Sequence, residues 1–124
     1  MAVKKRILVK LDHQILQAYE NNKLVYEFDC VTGDKDHPTE PGKFQIFRKH
    51  RTYTSKKYKV PMDYAMFFSD DGKAIHKSHV VGLSSYLKYF GIESIGSHGC
   101  VRLDEESAKK LFDWTPLHTA VEIL

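Results

Sequence analysis

Cysteine is scarce in this sequence. Only Cys30 and Cys100 occur, which permits at most one disulfide and excludes the dense cross-linked framework of a small secreted module. Seven glycines and four prolines are too few for a collagen-like or low-complexity chain. Neither sign of charge dominates: 19 Lys+Arg against 16 Asp+Glu leave a net +3, too small a bias to make nucleic acid an expected partner. No run approaches the ~18–20 consecutive apolar residues of a membrane span, and Met1 to Arg6 are not followed by the apolar stretch of a signal peptide.

What is present suits an ordinary globular protein. At 124 residues, 42% hydrophobic and 28% charged, the chain 1–124 is expected to form one domain that buries roughly two-thirds of its unfolded surface. Nothing in it calls for a partner chain, and a monomer is expected. The pattern is one of strands. Ile7, Val9 and Leu11 alternate around Leu8 and Lys10, Ile15 to Glu20 form a second run, and Leu24, Tyr26, Phe28 and Cys30 share one face of a third. Asn21-Asn22 makes a hairpin turn between the last two, because Asn tolerates positive φ.

Beyond a polar loop from Gly33 to Pro41, alternation resumes at Phe44 and Ile46. Arg48 to Lys59 holds six basic residues and no acidic one, read as a solvated loop and secondarily as a surface for an anionic polymer. Short strands are expected at 64–69 and 73–77, joined by an Asp70-Asp71-Gly72 turn. Ser85 to Phe90 suits one or two helical turns. Asp104 to Phe112 is the clearest helix, with Asp104 as cap, Glu105 and Glu106 at its positive end, and Lys109 and Lys110 at its negative end. Pro116 stops it, and Thr119 to Leu124 reads as a final strand. The sum is a mainly β domain, a sandwich or partly closed barrel with one or two short helices.

Chemistry concentrates in Ser97-His98-Gly99-Cys100-Val101-Arg102. A thiol becomes a strong nucleophile when an imidazole or a group of backbone N–H donors helps it lose its proton. Gly99 lets backbone approach a substrate, and amides around Gly99 and Cys100 can face a developing oxyanion. Arg102, two residues on, shares the side of the thiol in extended backbone and can hold a carboxylate. An imidazole for proton transfer is offered by His76 or His79 in Ala74-Ile75-His76-Lys77-Ser78-His79. Cys30, in line with Tyr26 and Phe28, reads as a small buried hydrophobe. A zinc site from His76, His79, His98 and Cys100 has suitable ligand types but no C-x-x-C or H-E-x-x-H spacing, so no metal is expected.

These residues resemble the L,D-transpeptidase catalytic domain of the YkuD type, whose signature is an upstream His followed by S/T-H-G-C, a hydrophobic residue and Arg or Asn. The likeness extends to Val31-Thr32-Gly33, to Pro38-Thr39-Glu40-Pro41-Gly42-Lys43-Phe44 (with Glu40 where the family usually has Pro), and to Pro61–Phe68 with Gly72–His76. The resemblance implies a fold of two mixed sheets and a cysteine enzyme acting on peptidoglycan stem peptides without any cofactor. Cys100 would be the nucleophile and His76 the general base and acid. His98 and Gly99 would shape the site, backbone amides near Cys100 would form the oxyanion hole, and Ser97 and Arg102 would contact substrate or hold the turn.

In that family the Cys attacks the carbonyl at the L-centre of the diamino acid in position three, releases D-Ala, and passes the acyl group to an amine or to water. Twenty residues separate His76 from Ser97 and seventeen separate His79 from it; the shorter spacing is the family's usual one, so His79 competes for the base role. With His76 as base, residues 77–96 carry an insertion, read as a mobile lid bounded by Gly82, Gly91 and Gly96. Such a substrate lies in the periplasm or cell wall. The chain would then be trimmed from a longer protein or delivered by a dedicated route, as in an antibacterial effector that trims or caps a competitor's wall. The other readings are a papain-like cysteine hydrolase and a non-catalytic wall-binding module carried by the basic loop and its tyrosines.

Overall fold

The computed structural model describes residues 4–33, 38–54, 61–77 and 99–124. The expected helix from Ser85 to Phe90 lies outside these residues, as does the segment read as a lid from Ser78 onward.

The first three strands form as their alternation requires. β1 (Lys5–Lys10), β2 (Ile15–Glu20) and β3 (Lys23–Asp29) are an antiparallel meander. Asn21 and Asn22 take φ of 50° and 69°, the pair of positive values that a two-residue hairpin matched to strand twist needs. One expected face is broken. The β2–β3 register shifts between Ala18 and Tyr19, so Tyr26 opposes inward-facing Ala18 while Leu24 opposes Tyr19. Val25 is the extra residue of this bulge, and the slip turns Leu24 outward to 50% exposure.

β9 (Ala120–Ile123) comes from the far end of the chain and inserts beside β1 in parallel. Its other edge pairs antiparallel with β4 (Gly42–Gln45), completing a five-stranded sheet of order β3-β2-β1-β9-β4. The second sheet has the order β5-β6-β7-β8, from β5 (Arg48–His50), β6 (Ala65–Phe67), β7 (Ala74–Lys77) and β8 (Val101–Leu103). Within it only β7 and β8 run parallel. The protein is thus mainly β, with two mixed sheets and, among the described residues, one helix.

Ile7, Val9, Leu16, Val121 and Ile123 of the larger sheet meet Met66, Ile75, Val101 and Leu103 of the smaller one in a single buried cluster. Each such side chain contributes about 1.5–3 kcal/mol on leaving water. Helix α1 (Glu105–Trp114) adds Ala108, Leu111 and Phe112. Asp104 caps it by accepting from the Ser107 N–H at 2.7 Å. Thr115, held extended before Pro116, ends it.

Two expectations change together. Arg48 to His50 belong to a strand, and Lys109 and Lys110 do not serve the helix C-terminus, whose last turn holds no basic residue. Lys49 fills that place, donating to the carbonyls of Phe112 (2.7 Å) and Thr115 (2.6 Å). The basic side chains of this segment lie along aromatic rings, Arg48 over Phe67 at 4.1 Å and Lys49 over Phe112 at 4.2 Å. Long cationic stems cover apolar surface while their charged ends reach polar partners.

Candidate active site

The smaller sheet has a second face. In parallel pairing, opposed residues point the same way, and the β7–β8 register sets Ile75 against Val101 and His76 against Arg102. Ile75 and Val101 enter the main core. Ala74, His76, Cys100 and Arg102 therefore share the opposite face, where Cys100 and Ala74 pack with Met62, Ala65 and Phe67 in a separate cluster. His76 and Cys100 are diagonal neighbours on this face, their backbones roughly 8 Å apart. His76 and Arg102 are each 3% exposed and Cys100 is 5%.

The imidazole has a defined orientation. His76 Nδ1 lies 2.7 Å from the carbonyl oxygen of Lys77, which can only accept, so Nδ1 carries the hydrogen and the neutral ring presents a lone pair at Nε2. Nε2 is buried and makes no hydrogen bond among the described residues, to Cys100 or to any other. Burial pushes the His76 pKa down to about 4; the Lys77 carbonyl and Asp63 oppose that shift and Arg102 adds to it. Burial likewise pushes the Cys100 thiol up to about 11, against a backbone hydrogen bond from Ala74 and the nearby charges of Arg102 and Lys73. The resting pair is a neutral thiol and a neutral imidazole. Cys30 is also a free thiol, buried in the main core and raised to about 12 first by desolvation, as a small hydrophobe would be.

Gly99 is a glycine for two reasons. Its φ of +92° is strained for any residue with a Cβ, and a Cβ built there would lie 2.5 Å from Lys73 Cε and 3.0 Å from the Pro38 carbonyl oxygen. The segment after it is fixed on both sides, by β7 and by an antiparallel bridge in which Val31 and Arg102 exchange two backbone hydrogen bonds of 2.9 Å. Thr39 Oγ1 donates to the Gly99 carbonyl at 2.7 Å.

Among the expected site residues, the fold brings together His76, Gly99, Cys100 and Arg102. Ser97, His98 and the competing His79 lie outside the described residues. Two members of the zinc reading are among these, and within the described residues no three His, Cys, Asp or Glu side chains converge on a point. Thr39 and Lys73 entered the sequence reading only as members of segments that resemble the family's, with no role of their own, and the Lys77 carbonyl did not enter it, since each acts by where the chain is folded back. Lys73 at least adjoins the Asp70-Asp71-Gly72 turn that brings it there.

The family profile for the YkuD L,D-transpeptidase catalytic domain matches residues 4–123. The chain belongs to this family. An L,D-transpeptidase from Stackebrandtia nassauensis superposes with a TM-score of 0.82 at 33% identity, over 98% of this chain and 55% of that one. An Enterococcus faecium L,D-transpeptidase variant gives 0.79 at 25% identity, over 98% of this chain and 50% of its own. An L,D-transpeptidase solved in complex with imipenem shares the fold at 0.81 and 19% identity, over 99% and 60%. The chain thus spans 50–60% of the length of these relatives. No curated protein matches it. Among the described residues no helix is long and apolar enough to cross a membrane.

Proposed function

We propose that the chain is a cysteine acyltransferase acting on peptidoglycan stem peptides outside the cytoplasmic membrane. The observation that carries this reading is the β7–β8 register, which sets an imidazole with a free Nε2 lone pair and a thiol on one buried face. As Sγ of Cys100 attacks the carbonyl carbon at the L-centre of the position-three diamino acid, Nε2 of His76 takes the thiol proton. The oxyanion is met by backbone N–H groups next to Cys100. Collapse breaks the C–N bond, and the proton on His76 passes to the departing D-Ala amine, leaving a thioester on Cys100. An acceptor amine, or water, then gives its proton to His76 and attacks the thioester carbonyl; the C–S bond breaks, and His76 returns the proton to the departing sulfur, restoring the thiol and the neutral imidazole. Arg102 keeps both partners in reach of positive charge, which favours thiolate over thiol and neutral over protonated imidazole. No metal or organic cofactor takes part.

A β-lactam presents the same carbonyl chemistry with the leaving amine retained in the ring. Given the relative that binds imipenem, this compound should acylate Cys100: the S–C bond forms, the lactam C–N bond breaks, and the nitrogen takes the proton. Intact-mass analysis is expected to show one imipenem equivalent on the wild-type protein and none on Cys100→Ala. An unmodified wild-type protein, or an adduct that survives Cys100→Ala, contradicts the assignment.

A further inference from the structure

Thr39 is 4% exposed and joins two backbone groups that are far apart in the chain. Its Oγ1 accepts from the Gly33 N–H at 2.8 Å and donates to the Gly99 carbonyl at 2.7 Å. Gly33 N–H can only donate, so the single hydroxyl hydrogen is directed at Gly99. The support behind it is rigid. Gln14 grips neighbouring Thr32 twice, Nε2 to Thr32 Oγ1 at 2.6 Å and Thr32 N–H to Oε1 at 3.0 Å, while also reaching the Leu11 carbonyl at 2.9 Å.

The other end of the relay is the peptide joining Gly99 to Cys100. It is trans, so its C=O and the Cys100 N–H point in opposite directions within one plane. Fixing the carbonyl on Thr39 fixes the direction of that N–H. Gly99, lacking a Cβ, imposes little on this plane by itself.

We propose that Thr39 is a positioning residue, whose hydroxyl holds the Gly99–Cys100 peptide so that the Cys100 N–H faces the oxyanion formed when Cys100 attacks a carbonyl. This rests on the acyl-transfer reading of Cys100. It assigns to a threonine from a distant loop the orientation of the amide beside the nucleophile.

The test compares two electrophiles at Cys100, followed by peptide mapping so that Cys30 is counted separately. Imipenem acylation passes through an oxyanion; iodoacetamide alkylation at pH 9 is a displacement at carbon and does not. Thr39→Val is expected to slow imipenem acylation by about 10- to 100-fold while changing alkylation by less than about 3-fold, and Thr39→Ser is expected to restore acylation. If Thr39→Val fails to fold in a thermal melt, Thr39→Ala is read in the same way, since it removes the hydroxyl and leaves room for water.

Equal losses with both electrophiles in the folded variant, an unchanged imipenem rate, or a Thr39→Ser protein as slow as Thr39→Val overturn the proposal. A wild-type protein alkylated at Cys100 but inert to imipenem overturns the acyl-transfer reading itself, and the role of Thr39 with it.

Discussion

His76 and Arg102 stand opposite each other across the parallel pair of β7 and β8, both 3% exposed. A guanidinium beside a buried imidazole opposes its protonation, in the same direction as the loss of water. The ring therefore stays neutral and able to accept a proton at neutral pH.

This neutrality has a cost in acid. The folded His76 has a pKa of about 4 against 6.5 for an ordinary His, so between these values the unfolded chain binds a proton that the folded one does not. Stability then falls as pH falls through that window, by an amount approaching about 3 kcal/mol near pH 4. Urea unfolding of wild type and His76→Gln at pH 7 and pH 4.5 should show the extra acid loss only in wild type; equal losses contradict the buried neutral ring.

The thiol follows the opposite course. With its pKa raised to about 11, only a small thiolate fraction exists at neutral pH, and the iodoacetamide rate at Cys100 should climb about tenfold per pH unit from pH 7 to 9.5. A rate that levels off below pH 7 would indicate a resting thiolate–imidazolium pair instead.

Two glycines of nearly equal φ separate strain from contact. Gly72, at +93°, has nothing within 4 Å of a built Cβ, whereas Gly99, at +92°, meets Lys73 and Pro38. Gly72→Ala should cost about 1 kcal/mol and keep the imipenem acylation rate; Gly99→Ala should cost about 2–4 kcal/mol and abolish acylation. Equal behaviour in denaturation and acylation assays is the contrary result.

Lys49 gives a prediction confined to stability. Lys49→Met leaves the Phe112 and Thr115 carbonyls at the helix end without their charged donor, and should lower unfolding free energy by about 1–3 kcal/mol while acylation per folded molecule stays unchanged. A loss below about 0.5 kcal/mol would mean that these bonds act as exposed surface pairs do.

The strands that were legible are those in which one face is apolar and the turn is local. β1 to β3, the Asn21-Asn22 hairpin and the capped helix all satisfy this. The parallel pairing of β1 with β9 joins segments from opposite ends of the chain, and no local pattern encodes it. β5 was hidden because its basic side chains look solvated in sequence, while in the fold their stems lie on Phe67 and Phe112. β8 is three residues long and buried throughout, too short for alternation to show.

The site divides in the same way. Cys100, Gly99 and Arg102 are adjacent in sequence and could be found together, and His76 drew notice at the end of an apolar strand. The Thr39 hydroxyl reaches Gly99 from sixty residues away; Thr39 stands in a segment that resembles the family's, but no local pattern says which group its hydroxyl meets. Leu24 shows the converse: its spacing from Tyr26 and Phe28 promised an inward face, and one bulge residue reversed it.

The most direct test of the central claim is mass spectrometry of disaccharide-tetrapeptide muropeptides after incubation with the protein, with Cys100→Ala and His76→Ala alongside. The account predicts loss of D-Ala by wild type, with a cross-linked dimer if an amine is the acceptor and without one if water is, and no change with either variant. Untouched muropeptides that nevertheless bind the protein, equally well after Cys100→Ala, would contradict it and make the chain a wall-binding module.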